Sequence, residues 1–125
     1  MRRYKDWLRQ AKRKLQSAEW DLQGGFYEDA CFSAQQAAEL AAKALAESRR
    51  RLEVGHSVLA ILQSLEDTPS ELERAARVLD RYYIPTRYPN NWPAGAPMDY
   101  YDEETAREAI AFARLVIEYV EGKVG

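Results

Sequence analysis

Apolar residues recur along this chain at spacings of three, four and seven, the mark of helices that bury one face. Trp7, Leu8, Ala11, Leu15, Ala18 and Leu22 form the first such stripe, which predicts a helix from Tyr4 to about Gln23, stopped at Gly24-Gly25. The second predicted helix runs from Tyr27 to about Arg50 and carries Ala30, Ala34, Ala37, Ala38, Ala41 and Leu45 on one stripe. Alanine buries little area, so a neighbouring helix backbone must come close to such a stripe. Gly55 breaks the pattern, and Val58, Leu59, Ile61, Leu62 and Leu65 mark a short third helix with Ser57 as its N-cap. Thr68-Pro69-Ser70-Glu71 reads as a capping box with proline at the first helical position, opening a fourth helix through Leu72, Ala75, Ala76 and Leu79 to about Tyr83. The last helix shows Ala106, Ala109, Ile110, Ala113, Val116, Ile117 and Val120, with Asp102 or a neighbour as its cap. No strand signal and no internal repeat interrupts this series, so the fold class is all-α.

Between the fourth and last helices the pattern changes. From Ile84 to Tyr101 the chain holds Pro85, Pro89, Pro93 and Pro97 together with Tyr88, Trp92, Tyr100 and Tyr101. The prolines forbid a regular helix, and the aromatics are too many for a disordered linker, so a long loop ordered against the helices is expected.

Composition adds that 125 residues, 46% hydrophobic and 30% charged, suit one domain over residues 1–125 with its own core. No apolar run reaches the roughly 18 residues of a spanning helix, and the start MRRYKDWLRQ lacks an apolar leader, so a soluble cytoplasmic protein is expected, without membrane association. The net charge of −2 conceals an asymmetry: Arg2, Arg3, Lys5, Arg9, Lys12, Arg13 and Lys14 crowd the first helix, whereas acidic residues load the C-terminal part. Such a basic edge attracts phosphates, or else pairs with the chain's own acidic helices. Trp20 lies beside the first apolar stripe, and apolar residues off the main faces predict a homodimer built on helix surfaces.

Candidate chemistry is sparse. Cys31 is the single cysteine and His56 the single histidine, too few for a zinc site of the usual kind, and no metal or cofactor is expected. Cys31 sits in the alanine stripe, where a thiolate is disfavoured and a small buried hydrophobe fits. His56 suits general acid or base work near neutral pH, or a structural hydrogen bond at the start of the third helix. Neither common glycine-rich phosphate loop occurs, so a nucleotide would have to be held by side chains. Arg87 offers a phosphate contact, Tyr88, Trp92 or Tyr100 a stacking face, with Tyr88 held extended by Pro89, helix N-termini an anion contact, and Asn90 a further polar group. Gln35, Gln36, Glu39 and Lys43 stand at helical neighbour spacings, with Glu39 and Lys43 a favourable i,i+4 pair, either as a polar site or as a solvated face.

Gln36-Ala37-Ala38-Glu39 in the long second helix, Gly55-His56 before the third and Arg87-Tyr88-Pro89 before the last resemble, in order and spacing, the HEPN family of small prokaryotic proteins. The resemblance covers nearly the whole chain and implies an up-and-down bundle of four to five helices, commonly dimeric. It also implies a function near nucleotides and RNA, and the candidate ligand-binding residues are then His56, Arg87, Tyr88, Gln36 and Glu39 from the matching motifs, with Asn90 and Lys43 beside them. Many members act with a minimal nucleotidyltransferase as toxin and antitoxin, while others are metal-independent endoribonucleases that use an arginine followed four to six residues later by histidine. In those RNases the motif precedes the last long helix; here that place reads IPTRYPNNW, without histidine. Arg50 and Arg51 precede His56 at the formal spacing but at another place in the bundle. The expected function is therefore nucleotide or RNA binding as the partner of a minimal nucleotidyltransferase, with His56 and Arg87 in one shared polar site. An endoribonuclease using His56 and Arg87 is the alternative, and a structural helical interaction protein the second alternative.

Overall fold

The computed structural model describes residues 3–51 and 53–124 of the chain. Arg2 of the basic run lies outside the described residues. Five α-helices follow one another: α1 (Tyr4–Gln23), α2 (Tyr27–Ser48), α3 (Val58–Leu65), α4 (Ser70–Asp80) and α5 (Glu103–Val124). No strand occurs among the described residues, in keeping with the all-α expectation.

The long α2 is the spine. On one side it packs against α1 and α5, and on its other flank the shorter α3 and α4 close over it, with α4 also touching α5. Its alanine stripe does what small side chains predict: Ala34, Ala37, Ala38 and Ala41 are wholly buried, so neighbouring helices approach its backbone. Larger apolar side chains fill the space beside it, chiefly Leu45, Leu62, Leu79, Val58, Val116 and Val120. Truncating one of these leucines to alanine should cost about 2–5 kcal/mol.

Helix ends agree with sequence signals where a side chain makes the cap. Gly25 takes φ +82 after α1, a conformation that favours glycine. Ser57 accepts a hydrogen bond from the Ala60 amide at 3.0 Å, and Asp102 accepts one from the Thr105 amide at 2.8 Å. Elsewhere the bounds differ. α2 stops at Ser48 rather than Arg50, which adopts φ +57. Thr68 and Glu71 form no capping box, because Thr68 turns its hydroxyl to the Glu66 carbonyl and Pro69 is the residue before the helix, not its first. α4 ends at Asp80, three residues before Tyr83, since Pro85 disfavours helical backbone before it and Thr86 donates back to the Tyr82 carbonyl at 2.8 Å.

The proline-rich loop is ordered on the bundle as its aromatics predict. Two single turns of 3₁₀ helix, Pro89–Asn91 and Pro97–Asp99, punctuate it. Trp92 donates its indole N–H to the Pro85 carbonyl at 2.8 Å and stacks on Tyr100 with ring centres 3.9 Å apart. Tyr101, buried, meets Trp92 and Tyr82 edge-on. These contacts fix where the segment carrying Arg87 leaves α4.

Candidate functional site

On the flank of α2 that faces α3 and α4, four polar side chains lie along successive turns. Gln35 is fully buried and Glu39 is 6% exposed, so the set is a built interior network and not the solvated face that i,i+4 spacing alone allows. Lys43 donates to Glu39 Oε2 at 2.9 Å. Gln35 donates to Glu39 Oε1 at 3.2 Å and to the His56 carbonyl at 3.0 Å, while Gln36 donates to Gln35 Oε1 at 2.7 Å. His56 Nδ1 stands 3.2 Å from both Glu39 oxygens. Burial pushes the Glu39 carboxyl toward the neutral form, yet the hydrogen bonds from Lys43, Gln35 and His56 outweigh it and hold its pKa below the ordinary glutamate value.

The His56 segment is clamped from its other side by α4. Asp80, the last residue of that helix, accepts hydrogen bonds from the Ser57 hydroxyl and the Val58 amide, both at 2.7 Å, and from the Leu59 amide at 3.3 Å. A carboxylate at the N-terminus of α3 meets the unpaired amides and the positive end of the helix dipole. Gly55, at φ +96, lets the chain turn into this clamp.

Beyond α4 the chain brings the second half of the site. The His56 imidazole stacks on Tyr83 with ring centres 4.2 Å apart and planes 17° from parallel. The Arg87 guanidinium lies 4.7 Å from the same Tyr83 ring centre and 4.4 Å from that of Phe32 on α2. Arg87 Nε donates to the Tyr83 carbonyl at 2.9 Å. Thus His56 and Arg87 meet around one ring within a single chain, without needing the loop of a second copy.

Of the other residues singled out from sequence, Tyr88 is half-exposed beside Arg87, its ring centre 5.3 Å from the guanidinium carbon, with extended backbone before Pro89. Asn90 is exposed on the first 3₁₀ turn, and no hydrogen bond joins it to this cluster among the described residues. Sequence reasoning passed over Tyr83 and Phe32. Phe32 had a signal, since it precedes Gln35, Gln36 and Glu39 by three, four and seven positions on the same helix. Tyr83 had none, because its role depends on α4 ending before it.

Other groups are spent elsewhere. Cys31 is buried, and desolvation pushes its thiol up to about 12, so it is no nucleophile and no partner of His56. Arg51, one of the arginines at formal motif spacing, donates to the Ser64 carbonyl at 2.9 Å and pairs with Glu53. Among the described residues, no three histidine, cysteine or acidic side chains gather in a metal-binding group, and no helix is long and apolar enough to cross a membrane.

No curated protein matches the chain. Solved structures do. The protein TT1696 from Thermus thermophilus is 46% identical, with a TM-score of 0.96 over 98% of this chain and 99% of that one. ST0689, described as an archaeal HEPN homologue, is 38% identical, with a TM-score of 0.87 over the full length of both chains, covering 100% of each. A HEPN domain protein from Thermotoga maritima is 33% identical, with a TM-score of 0.75 over 94% of this chain and 95% of that one. With the HEPN domain family model matching residues 4–123, nearly the whole of the bundle just described, this chain belongs to the HEPN domain family.

Proposed function

We propose that the chain binds a nucleotide or RNA at the cluster around Tyr83 and acts, as a homodimer, with a minimal nucleotidyltransferase in a toxin-antitoxin type module, without cleaving RNA itself. One observation carries the binding reading: His56 and Arg87 meet at one ring with polar nitrogens that no hydrogen bond engages among the described residues. Glu39 takes Nδ1 of His56, which leaves Nε2, and the Tyr83 carbonyl takes Nε of Arg87, which leaves both Nη groups. Unspent guanidinium N–H groups suit a phosphate, and the half-exposed Tyr88 beside them offers a face on which a base can stack. The nucleotidyltransferase part is supported by the family resemblance.

The Glu39–His56 pair favours a second reading. A carboxylate on Nδ1 orients an imidazole for proton transfer through Nε2, as a metal-independent endoribonuclease requires. Against it stands the segment before α5, which holds Arg87 but no histidine.

Titration of the purified chain with ATP, GTP and a twelve-nucleotide RNA, beside incubation with a structured RNA in chelator, separates the readings. Binding without cleavage is expected, weakened roughly 10-fold or more by Arg87→Ala, the effect of losing a hydrogen bond to a charged group. Robust cleavage that disappears in both His56→Ala and Arg87→Ala would transfer the site to the enzyme reading. Absence of both activities would leave a structural protein. Co-expression with a minimal nucleotidyltransferase should give co-purification, and failure there would remove the partner from the proposal.

A further inference from the structure

The outer face of α1 carries a second, unrelated constellation. Arg9, Arg13, Gln16 and Trp20 follow at steps of four, three and four and so form one stripe, opposite the stripe of Ala11, Leu15 and Ala18 that faces the core. Trp20 is 75% exposed, and neither a ring contact nor a hydrogen bond engages it among the described residues. Arg13 has no ion pair among the described residues. Arg9 shares Asp6 with Arg3, and Lys12 reaches Glu121 on α5, so the chain's own acidic groups neutralise only part of the basic helix. Shallow depressions run along both sides of this stripe, one lined by Arg3, Arg9, Lys12 and Arg13 with the single carboxylate Asp6, the other by Arg13, Lys14, Ser17 and Trp20.

An exposed indole is costly to leave in water, and three explanations compete for it. A core role is excluded by its position on the outer face. A second copy of this chain packed on this stripe would gather Arg9 and Arg13 of both chains at one interface with no acidic residue of the stripe between them, a like-charge accumulation that opposes association. A partner carrying both negative charge and flat π surfaces satisfies the arginines and the indole together, and single-stranded nucleic acid has that chemistry at every nucleotide.

We propose that the outer face of α1 is a binding surface for single-stranded nucleic acid, with Trp20 as the stacking platform and Arg9 and Arg13 as the phosphate contacts. From Arg9 to Trp20 the helix rises about 16 Å, the span of roughly five stacked nucleotides. Gln16 and Ser17 supply neutral hydrogen-bonding groups between the charged end and the indole, so the surface holds a strand without reading its sequence. It lies on the helix that packs on α2 and α5, away from the α3 and α4 flank that holds His56 and Arg87. With the proposed function it shares only the class of ligand.

The test is fluorescence anisotropy of a labelled twelve-nucleotide oligouridine against the intact protein over a series of salt concentrations. Wild type should bind, and Trp20→Ala should weaken binding by about 5-fold or more, the loss of one stacked base. Arg9→Gln with Arg13→Gln should weaken it further and lower the slope of log affinity against log salt by about 1.4, two single-strand phosphates. All three side chains are exposed, and circular dichroism should report unchanged helix content. Titration with ATP alone separates the sites: variants of α1 should leave it unchanged, while Arg87→Ala should weaken it, so either site can fail without the other. Oligouridine affinity indifferent to both α1 variants would overturn the proposal. So would a labelled poly-glutamate of matching length bound as tightly as the oligouridine and equally sensitive to Trp20→Ala, which would assign the face to an acidic polypeptide.

Discussion

Glu39 remains ionised at neutral pH although it is almost wholly buried, because Lys43, Gln35 and His56 all donate to it. Burial works against the charge and these hydrogen bonds prevail, so its folded pKa lies below the ordinary value of 4.5. As pH falls, the unfolded chain therefore takes up this proton first. The stabilisation that Glu39 supplies is complete above about 4.5 and is lost as pH drops through the lower folded value. Glu39→Gln should cost about 1–3 kcal/mol at pH 7, since it leaves Lys43 without its ion pair, and the deficit should shrink on acidification. Urea unfolding of both proteins between pH 7 and pH 3 checks this; parallel curves would show that the Glu39 charge does not contribute. Arg87 yields a companion prediction. Its planar guanidinium lies over Phe32 and Tyr83 while Nε holds the Tyr83 carbonyl, and a lysine reproduces neither the stacking nor the fork of donors. Arg87→Lys should therefore lose nearly as much nucleotide affinity as Arg87→Ala, whereas a site that needs only positive charge would tolerate it.

At the level of elements, α3 is a helix of eight residues, too short to persist alone, and Asp80 from the end of α4 supplies what its N-terminus lacks. Asp80→Ala should cost about 1–2 kcal/mol, the range for a lost cap, and should loosen His56 as well, because Ser57 is held by the same carboxylate. Faster hydrogen exchange at the Val58 and Leu59 amides, with α1 and α5 unchanged, is the expected signature. Gly55→Ala tests the same segment through its backbone: space is open around the position, but φ +96 penalises any side chain there. This level also separates what the sequence displayed from what it hid. Periodicity and local caps, such as Ser57 and Asp102, depend on neighbours in the chain, and they marked the five helices and the ordered loop correctly. The end of α4 depended on Pro85 and on a hydrogen bond from Thr86, so it fell three residues early, and the box at Thr68 depended on a hydroxyl that turned elsewhere, so it does not form. The site followed the same division. Glu39, His56 and Arg87 were visible one at a time, but their meeting required Tyr83 to lie beyond the helix end and the polar face of α2 to turn inward.

For the molecule as a whole, two sets of exposed apolar residues differ in chemistry, while Phe26, Met98 and Tyr100 belong to neither. Trp20 stands among arginines on α1, whereas Val54, Ile84 and Tyr88 are sequence neighbours of the residues that gather at Tyr83. Face-to-face pairing of two chains through α1 would oppose like charges, while pairing through the second group would bury apolar area and keep two polar sites near the symmetry axis. The homodimer expected of this chain should therefore use the Val54, Ile84 and Tyr88 side. Light scattering at micromolar concentration should give the mass of two chains, Ile84→Arg should shift it toward one chain without loss of helix content, and Trp20→Ala should leave it unchanged. If the Ile84→Arg chain is monomeric and still binds ATP as tightly as the wild type, the site is complete within each chain, as the meeting of His56 and Arg87 on a single Tyr83 implies. If affinity is lost together with dimerisation, a residue from the second copy completes the site. A dimer broken by Trp20→Ala instead would place the interface on α1 and remove both this assignment and the stacking surface proposed there.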